Sequence, residues 1–307
     1  MDPTKPTKGT NQQPIRPNHP SYPPFHRIPG LSNFRDIGGW PITLSSPSST
    51  PSHVRKGLIY RGSDTTRITP DGEACLRELG IKRDYDLRSR QQIEKTGGYK
   101  DIDGIERVWT PVFGEEGYTE EKARERYKMY AGDGTDGIVK AFLEILHAGA
   151  PMFYTVLTSL LSQSCLSSDG TPPAVFIHCT TGNNRTGIFI SLLLLLLRVP
   201  ESYIVHEYTL SDAGLAPTRH INVERLLAKG AFNGLDDVER KRKCERMVGA
   251  RSESMRDLIK IVVERWGVYG DGYFRDVVGL TEKEVEGLRA LLTVEGEGMT
   301  KVNGVVL

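Results

Sequence analysis

Ten residues, His178-Cys179-Thr180-Thr181-Gly182-Asn183-Asn184-Arg185-Thr186-Gly187, join two apolar runs. The run before them, Ala174 to Ile177, is short and rich in β-branched and aromatic side chains, with Pro172-Pro173 ahead of it. That is the pattern of a buried strand. The run after them, Ile188 to Leu197, is long enough for a buried helix and is followed by Pro200. A strand, a tight loop and a helix in this order leave few folds open.

The chemistry of such a loop follows from its backbone. Amide N–H groups in a turn that ends at a helix N-terminus converge on one point and favour an anion there, helped by the helix dipole. Cys179 opens the loop and Arg185 closes it. A thiol in that field is expected to ionise below its usual pKa. Arg185 offers a planar fork for two phosphoryl oxygens, and Thr186 can bring a hydroxyl to the sulfur. Nucleophile, anion cradle and clamp are then in one place.

Of the four cysteines, only Cys179 has Arg six positions on; Cys75, Cys165 and Cys244 have Ile81, Thr171 and Ala250 there. The C-x5-R-T spacing with a preceding His resembles the phosphate loop of cysteine-dependent protein tyrosine phosphatases. It is most similar to the fungal and bacterial branch that reads H-C-T-A-G-K-D-R-T-G. Asn33-Phe34-Arg35-Asp36-Ile37-Gly38-Gly39, Leu58-Ile59-Tyr60-Arg61-Gly62-Ser63, and Tyr85-Asp86-Leu87-Arg88-Ser89 with Glu94 resemble three further elements of that branch. The likeness covers residues 28 to 293.

The resemblance implies an α/β fold of the tyrosine or dual-specificity phosphatase type: a mainly parallel sheet flanked by helices, with a helical C-terminal part. It implies that Cys179 attacks phosphorus. The backbone of Thr180, Thr181, Gly182, Asn183, Asn184 and Arg185 would hold the phosphoryl oxygens. Arg185 would clamp them, Thr186 would assist the leaving thiolate, and His178 would orient the loop. No metal or other cofactor is implied. Two positions depart from the branch: Asn183 stands for Lys and Asn184 for Asp. That Asp is the implied general acid, and an amide cannot replace it. Asp86, at the end of a strand facing the loop, is the first substitute, with Asp133 and Asp136 in a Gly-rich turn behind it.

Composition narrows the partners. Forty basic and thirty-nine acidic residues leave no field to draw nucleic acid. Ile188 to Leu197 is ten residues long, against about 20 for a membrane span. Four unevenly spaced cysteines do not read as a secreted disulfide framework, and a working thiolate favours a reducing, cytoplasmic setting. The basic run Arg240 to Lys243 reads as a solvated helix face, and His206 as a structural helix residue. Oligomeric state is not legible.

Residues 1–24 carry seven prolines among polar side chains and are expected to be a disordered tail, ahead of a phosphatase domain over 25–294 and a frayed end over 295–307. Ser45 to Ser52 reads as a surface loop, Val54 to Tyr60 and Ile105 to Val112 as strands. Thr69-Pro70 starts a helix that Gly80 stops, and Ile81 to Leu87 is the next strand. Ser89 to Thr96, Ile138 to His147, Met152 to Leu161 and Pro200 to Asp212 read as helices, with Pro151 splitting the middle pair, and 115–130 is charged and amphipathic. Met255, Leu258, Ile259, Val262, Val263 and Trp266 form one apolar stripe, and Thr281 with Glu284 makes a capping box.

The implied reaction is hydrolysis of phosphomonoesters through a phosphocysteine, on phosphotyrosine proteins or small phosphomonoesters. A phosphoinositide or inositol-polyphosphate phosphatase on the same fold is one alternative. A phosphate-binding pseudophosphatase is the other.

Overall fold

The computed structural model describes residues 23–43, 50–114, 119–166, 172–228, 230–296, 301–302 and 305–306. The Pro-rich tail lies outside these apart from its last two residues, as do most of the serine-rich loop and residues 167–171.

Five strands make the main sheet, in the order β1-β3-β6-β4-β5. They are β1 (Arg35–Asp36), β3 (Ile59–Gly62), β4 (Ile81–Asp86), β5 (Glu106–Trp109) and β6 (Ala174–His178), with β2 (Ser52–Val54) outside this sheet. Strands β3, β6, β4 and β5 are parallel, and β1 adds an antiparallel edge. The period of two is visible in β6. Val175 and Ile177 face a large core with the loop helix, whereas Ala174 and Phe176 face a smaller core with Ile28, Phe34, Leu76 and Ile81.

Helix α1 (Pro70–Glu78), capped by the Thr69 hydroxyl, covers the smaller core, and α2 (Arg90–Thr96) starts from a Ser89–Gln92 capping box. The other face carries α3 (Glu120–Ala131), α4 (Asp136–Leu166) and α5 (Asn184–Leu196). It also carries α6 (Glu201–Leu215), α7 (Arg219–Ala228), α8 (Asp237–Val248), α9 (Ser252–Trp266) and α10 (Glu282–Leu292), with a π-helical turn at Tyr273–Val278. Every residue of α5 from Thr186 to Leu196 is buried, so α5 is the central helix of the larger core.

Three local expectations are corrected. Pro151 does not split the segment: α4 runs unbroken for 31 residues. Proline removes one i−4 hydrogen bond, and the buried Leu146, Phe153, Val156 and Leu157 on either side hold the axis together. Val54 to Tyr60 is two strands, parted by a turn with Gly57 at φ +74°. The chain is not frayed at 295: β7 (Thr293–Glu295) pairs antiparallel with β2. Helix α4 is also apolar and long enough to cross a membrane by length and composition, over Asp136–Gln163 with mean hydropathy 1.3. Half of it is buried against this protein's own core, which is the setting of a core helix.

Candidate active site

Parallel pairing sets Gly62 beside His178 and His178 beside Asp86. The ends of β3, β6 and β4 therefore lie level at the carboxyl edge of the sheet, where the loop after β6 begins. The loop carbonyls are tied from behind. Asn33 Nδ2 donates to Thr181 O at 3.1 Å. Arg61 Nη2 donates to Gly182 O and, at 3.4 Å, to Asn183 O. With these carbonyls turned back, the loop's N–H groups are left for the front. Gly182 makes the bend possible at φ +68°: a Cβ there would lie 2.1 Å from Gly62 O.

Behind those ties sits a wholly buried ionic group. Arg35 Nε and Arg61 Nη1 contact the two oxygens of Glu207, from α6, at 2.7 and 2.6 Å. Burial pushes the Glu207 carboxyl up, but the two guanidiniums outweigh it and hold it low. Asn33 takes φ +60° and also accepts from Arg35. The sequence signal for Asn33, Arg35 and Arg61 lay in the two N-terminal stretches that carried the family likeness, whereas Glu207 had none.

A second buried group lies under the β4 side. Asp86 accepts from Arg88 at 2.9 and 2.8 Å and from Arg107 at 2.7 Å, and is fully buried. Burial pushes its pKa up, yet the neighbouring His178, Arg88 and Arg107 together hold the carboxyl well below the usual range. Asp86 therefore has no proton to give at neutral pH, and its nomination as general acid is corrected: it anchors arginines. His178 lies 2.9 Å from Asp84, and its Nδ1 is 3.1 Å from Cys179 O. Burial lowers its pKa, but Asp84 and Asp86 more than offset this and raise it to about 9. Asp133 pairs with Arg242 at 2.7 Å on the surface, and Asp136 is exposed in the first turn of α4.

In front, Cys179 is 2% exposed at the base of a cavity of about 160 Å³. Burial pushes the thiol up. Arg185, the Thr186 hydroxyl and the N–H groups of Thr186 and Gly182 outweigh it, leaving the pKa lowered to about 7. Arg185 Nη1 donates to Gln92 Oε1 and to Leu87 O, and Nη2 donates to the Thr180 hydroxyl at 3.3 Å. Phe113, Tyr127, Tyr130, Leu226 and Met247 supply apolar wall. Among the described residues that line this cavity there is no Asp or Glu.

The two departures from the branch pattern have structural partners. Asn183 Nδ2 donates to Gly249 O at 3.2 Å, tying the loop to the α8–α9 connection. Asn184 Oδ1 accepts from the Tyr208 hydroxyl at 3.4 Å.

A buried thiol and a guanidinium at the two ends of a loop between a parallel strand and the helix it feeds are the arrangement that a cysteine-based phosphate site requires. Residues 26–294 match the sequence profile described as the tyrosine phosphatase family. The triple specificity protein phosphatase PtpB of Mycobacterium tuberculosis is 25% identical over 285 residues, which span 86% of this chain and 98% of PtpB. A tyrosine-protein phosphatase of Nostoc commune is 29% identical over 167 residues, 54% of this chain and 52% of that protein. The crystal structure of P. aeruginosa TpbA aligns with a TM-score of 0.29 at 15% identity, covering 71% of this chain and 94% of TpbA. This chain belongs to the tyrosine phosphatase family.

Proposed function

We propose that the chain hydrolyses aryl phosphates of the phosphotyrosine type, in phosphorylated proteins, through a phosphocysteine. The observation that carries this is the Cys179 thiol, lowered to about 7 at the base of an aromatic-walled cavity. Cys179 Sγ attacks phosphorus as the phenolic P–O bond breaks. The N–H groups of Thr180 to Arg185 and the Arg185 guanidinium take the charge on the equatorial oxygens. Water then attacks the phosphocysteine, phosphate leaves, and sulfur departs as a thiolate next to the Thr186 hydroxyl.

With no carboxylate among its described lining residues, the cavity favours leaving groups that need little protonation, and a phenolate leaves more readily than an alkoxide. The same feature favours a second reading, a module that binds phosphate without turnover. A reducing cytoplasmic setting suits a low-pKa thiol. Hydrolysis of an aryl phosphate by the wild type and Cys179→Ser, with and without vanadate, separates the two readings. Turnover lost in the serine variant and blocked by vanadate supports the enzyme. Vanadate binding to a wild type with no turnover supports the module.

A further inference from the structure

A second cavity, of about 250 Å³, adjoins the first. Thr180, Thr181, Asn222 and Arg225 border both. The two spaces therefore meet at the phosphate loop on one side and at α7 on the other. Asn222 and Arg225 are joined, with Arg225 Nη2 donating to Asn222 Oδ1 at 3.1 Å. The lining also includes Arg67, which is exposed.

The charge in this second cavity is unbalanced. Asp64, the one carboxylate among its described lining residues, is turned inward: it accepts from Thr66 N at 3.1 Å and lies 3.6 Å from the buried Arg88. Neither Arg67 nor Arg225 has a carboxylate partner among the described residues. Two guanidinium side chains thus line a hydroxyl-rich space that adjoins the phosphate loop. Arg225 reaches both spaces, so an anion in one would lie close to an anion in the other.

Resting on the aryl-phosphate reading above, we infer that Arg225, with Arg67, selects phosphotyrosine peptides carrying an acidic side chain next to the phosphotyrosine. The phosphotyrosine enters the aromatic-walled cavity and the neighbouring carboxylate enters the second one. A guanidinium can take both oxygens of that carboxylate, which is the strong form of such a pair. Arg225 acts on specificity and takes no part in bond making or breaking.

The test uses paired phosphotyrosine peptides with Asp or Ala at each adjacent position. They are titrated by calorimetry against Cys179→Ser, Cys179→Ser/Arg225→Ala and Cys179→Ser/Arg67→Ala. Turnover of the same peptides is measured with Cys179 intact. The full chain should bind an Asp peptide about tenfold more tightly than its Ala counterpart, as expected for a charge-assisted pair of about 1.4 kcal/mol. Each arginine variant should bring the Asp-to-Ala ratio towards unity, and Arg225→Lys should restore part of it. The ratio in the full chain should also shrink with salt.

No Asp preference in the full chain, or a preference that survives both arginine variants, overturns the proposal. So does an arginine effect confined to vesicles containing phosphatidylinositol phosphate. The binding arm does not depend on turnover. A chain that prefers the Asp peptide yet hydrolyses nothing would refute the enzyme reading and keep the acidic subsite.

Discussion

The underside of the phosphate loop and the cover over its front are built from opposite materials. Beneath the loop are full charges with almost no exposure: Arg35, Arg61 and Glu207 on one side, Asp86, Arg88 and His178 on the other. Over the front, α7 and α8 share a small apolar cluster of Val223, Leu226 and Cys244, separate from the main core. Their charged contacts, such as Arg242 with Asp133 and Glu239, are exposed. Buried charges in fixed pairs have one good arrangement, since any other leaves an uncompensated ion. A small apolar cluster tolerates adjustment. The underside thus fixes the loop's backbone through buried ion pairs, while the cover over the front is held by a small apolar cluster and surface ion pairs.

The largest expected effect is at the underside. Glu207→Gln leaves two buried guanidiniums facing each other without a carboxylate, which should cost about 3–5 kcal/mol of stability. A denaturant midpoint near that of the wild type would break the contrast between the two regions. Arg61 is tied to Gly182 O and Asn183 O, so kcat on an aryl phosphate should fall with the stability.

Next comes the missing acid. Asn184→Asp adds a carboxyl to a cavity that has none among its described lining residues. Turnover on alkyl phosphates should rise more than on aryl phosphates, by about tenfold or more, because proton donation matters most for the poorer leaving group. Equal changes on both substrates would mean that the position does not serve proton transfer.

Two pH dependences separate front from back. Since the Cys179 thiol is lowered to about 7, kcat/KM should rise with pH through about 7 as thiolate forms. His178 runs the other way in stability. Its folded pKa is raised to about 9 from an ordinary value of 6.5. Its contribution is therefore fully present below about pH 6.5 and is lost as pH rises through about 9. Unfolding measured across that window should show the decline, and His178→Gln should flatten it.

The smallest effect belongs to the junction of the two regions. Asn183→Ala removes the hydrogen bond to Gly249 O and should cost about 1 kcal/mol. It should alter KM more than kcat, since it loosens the cover and leaves the underside intact. A large fall in kcat would show that Asn183 also shapes the nest.

Much of this was legible in the sequence, for reasons that differ by residue. The strand-loop-helix around Cys179 was readable because two apolar runs of different length bracket it. Thr69-Pro70 and Thr281 announced their helices through cap chemistry that needs only local residues. Pro151 misled because its local preference is overridden by long-range burial of its neighbours. Pairing of β7 with β2 joins segments far apart in the chain, and no local pattern reports it. Asp86 failed as an acid for a similar reason. Its place at a strand end was right, but Arg107, from the next strand, takes the carboxylate. Glu207 was invisible because one Glu on a helix looks like any other until two arginines are found against it.

The central claim is that Cys179 becomes phosphorylated during turnover. The most direct measurement is a rapid acid quench of wild-type protein turning over an aryl phosphate, followed by digestion and tandem mass spectrometry. The account predicts phosphate on the Cys179 peptide during turnover and none on Cys179→Ser. Steady hydrolysis with the Cys179 peptide unmodified at every quench time, or hydrolysis that persists in Cys179→Ser, would contradict it.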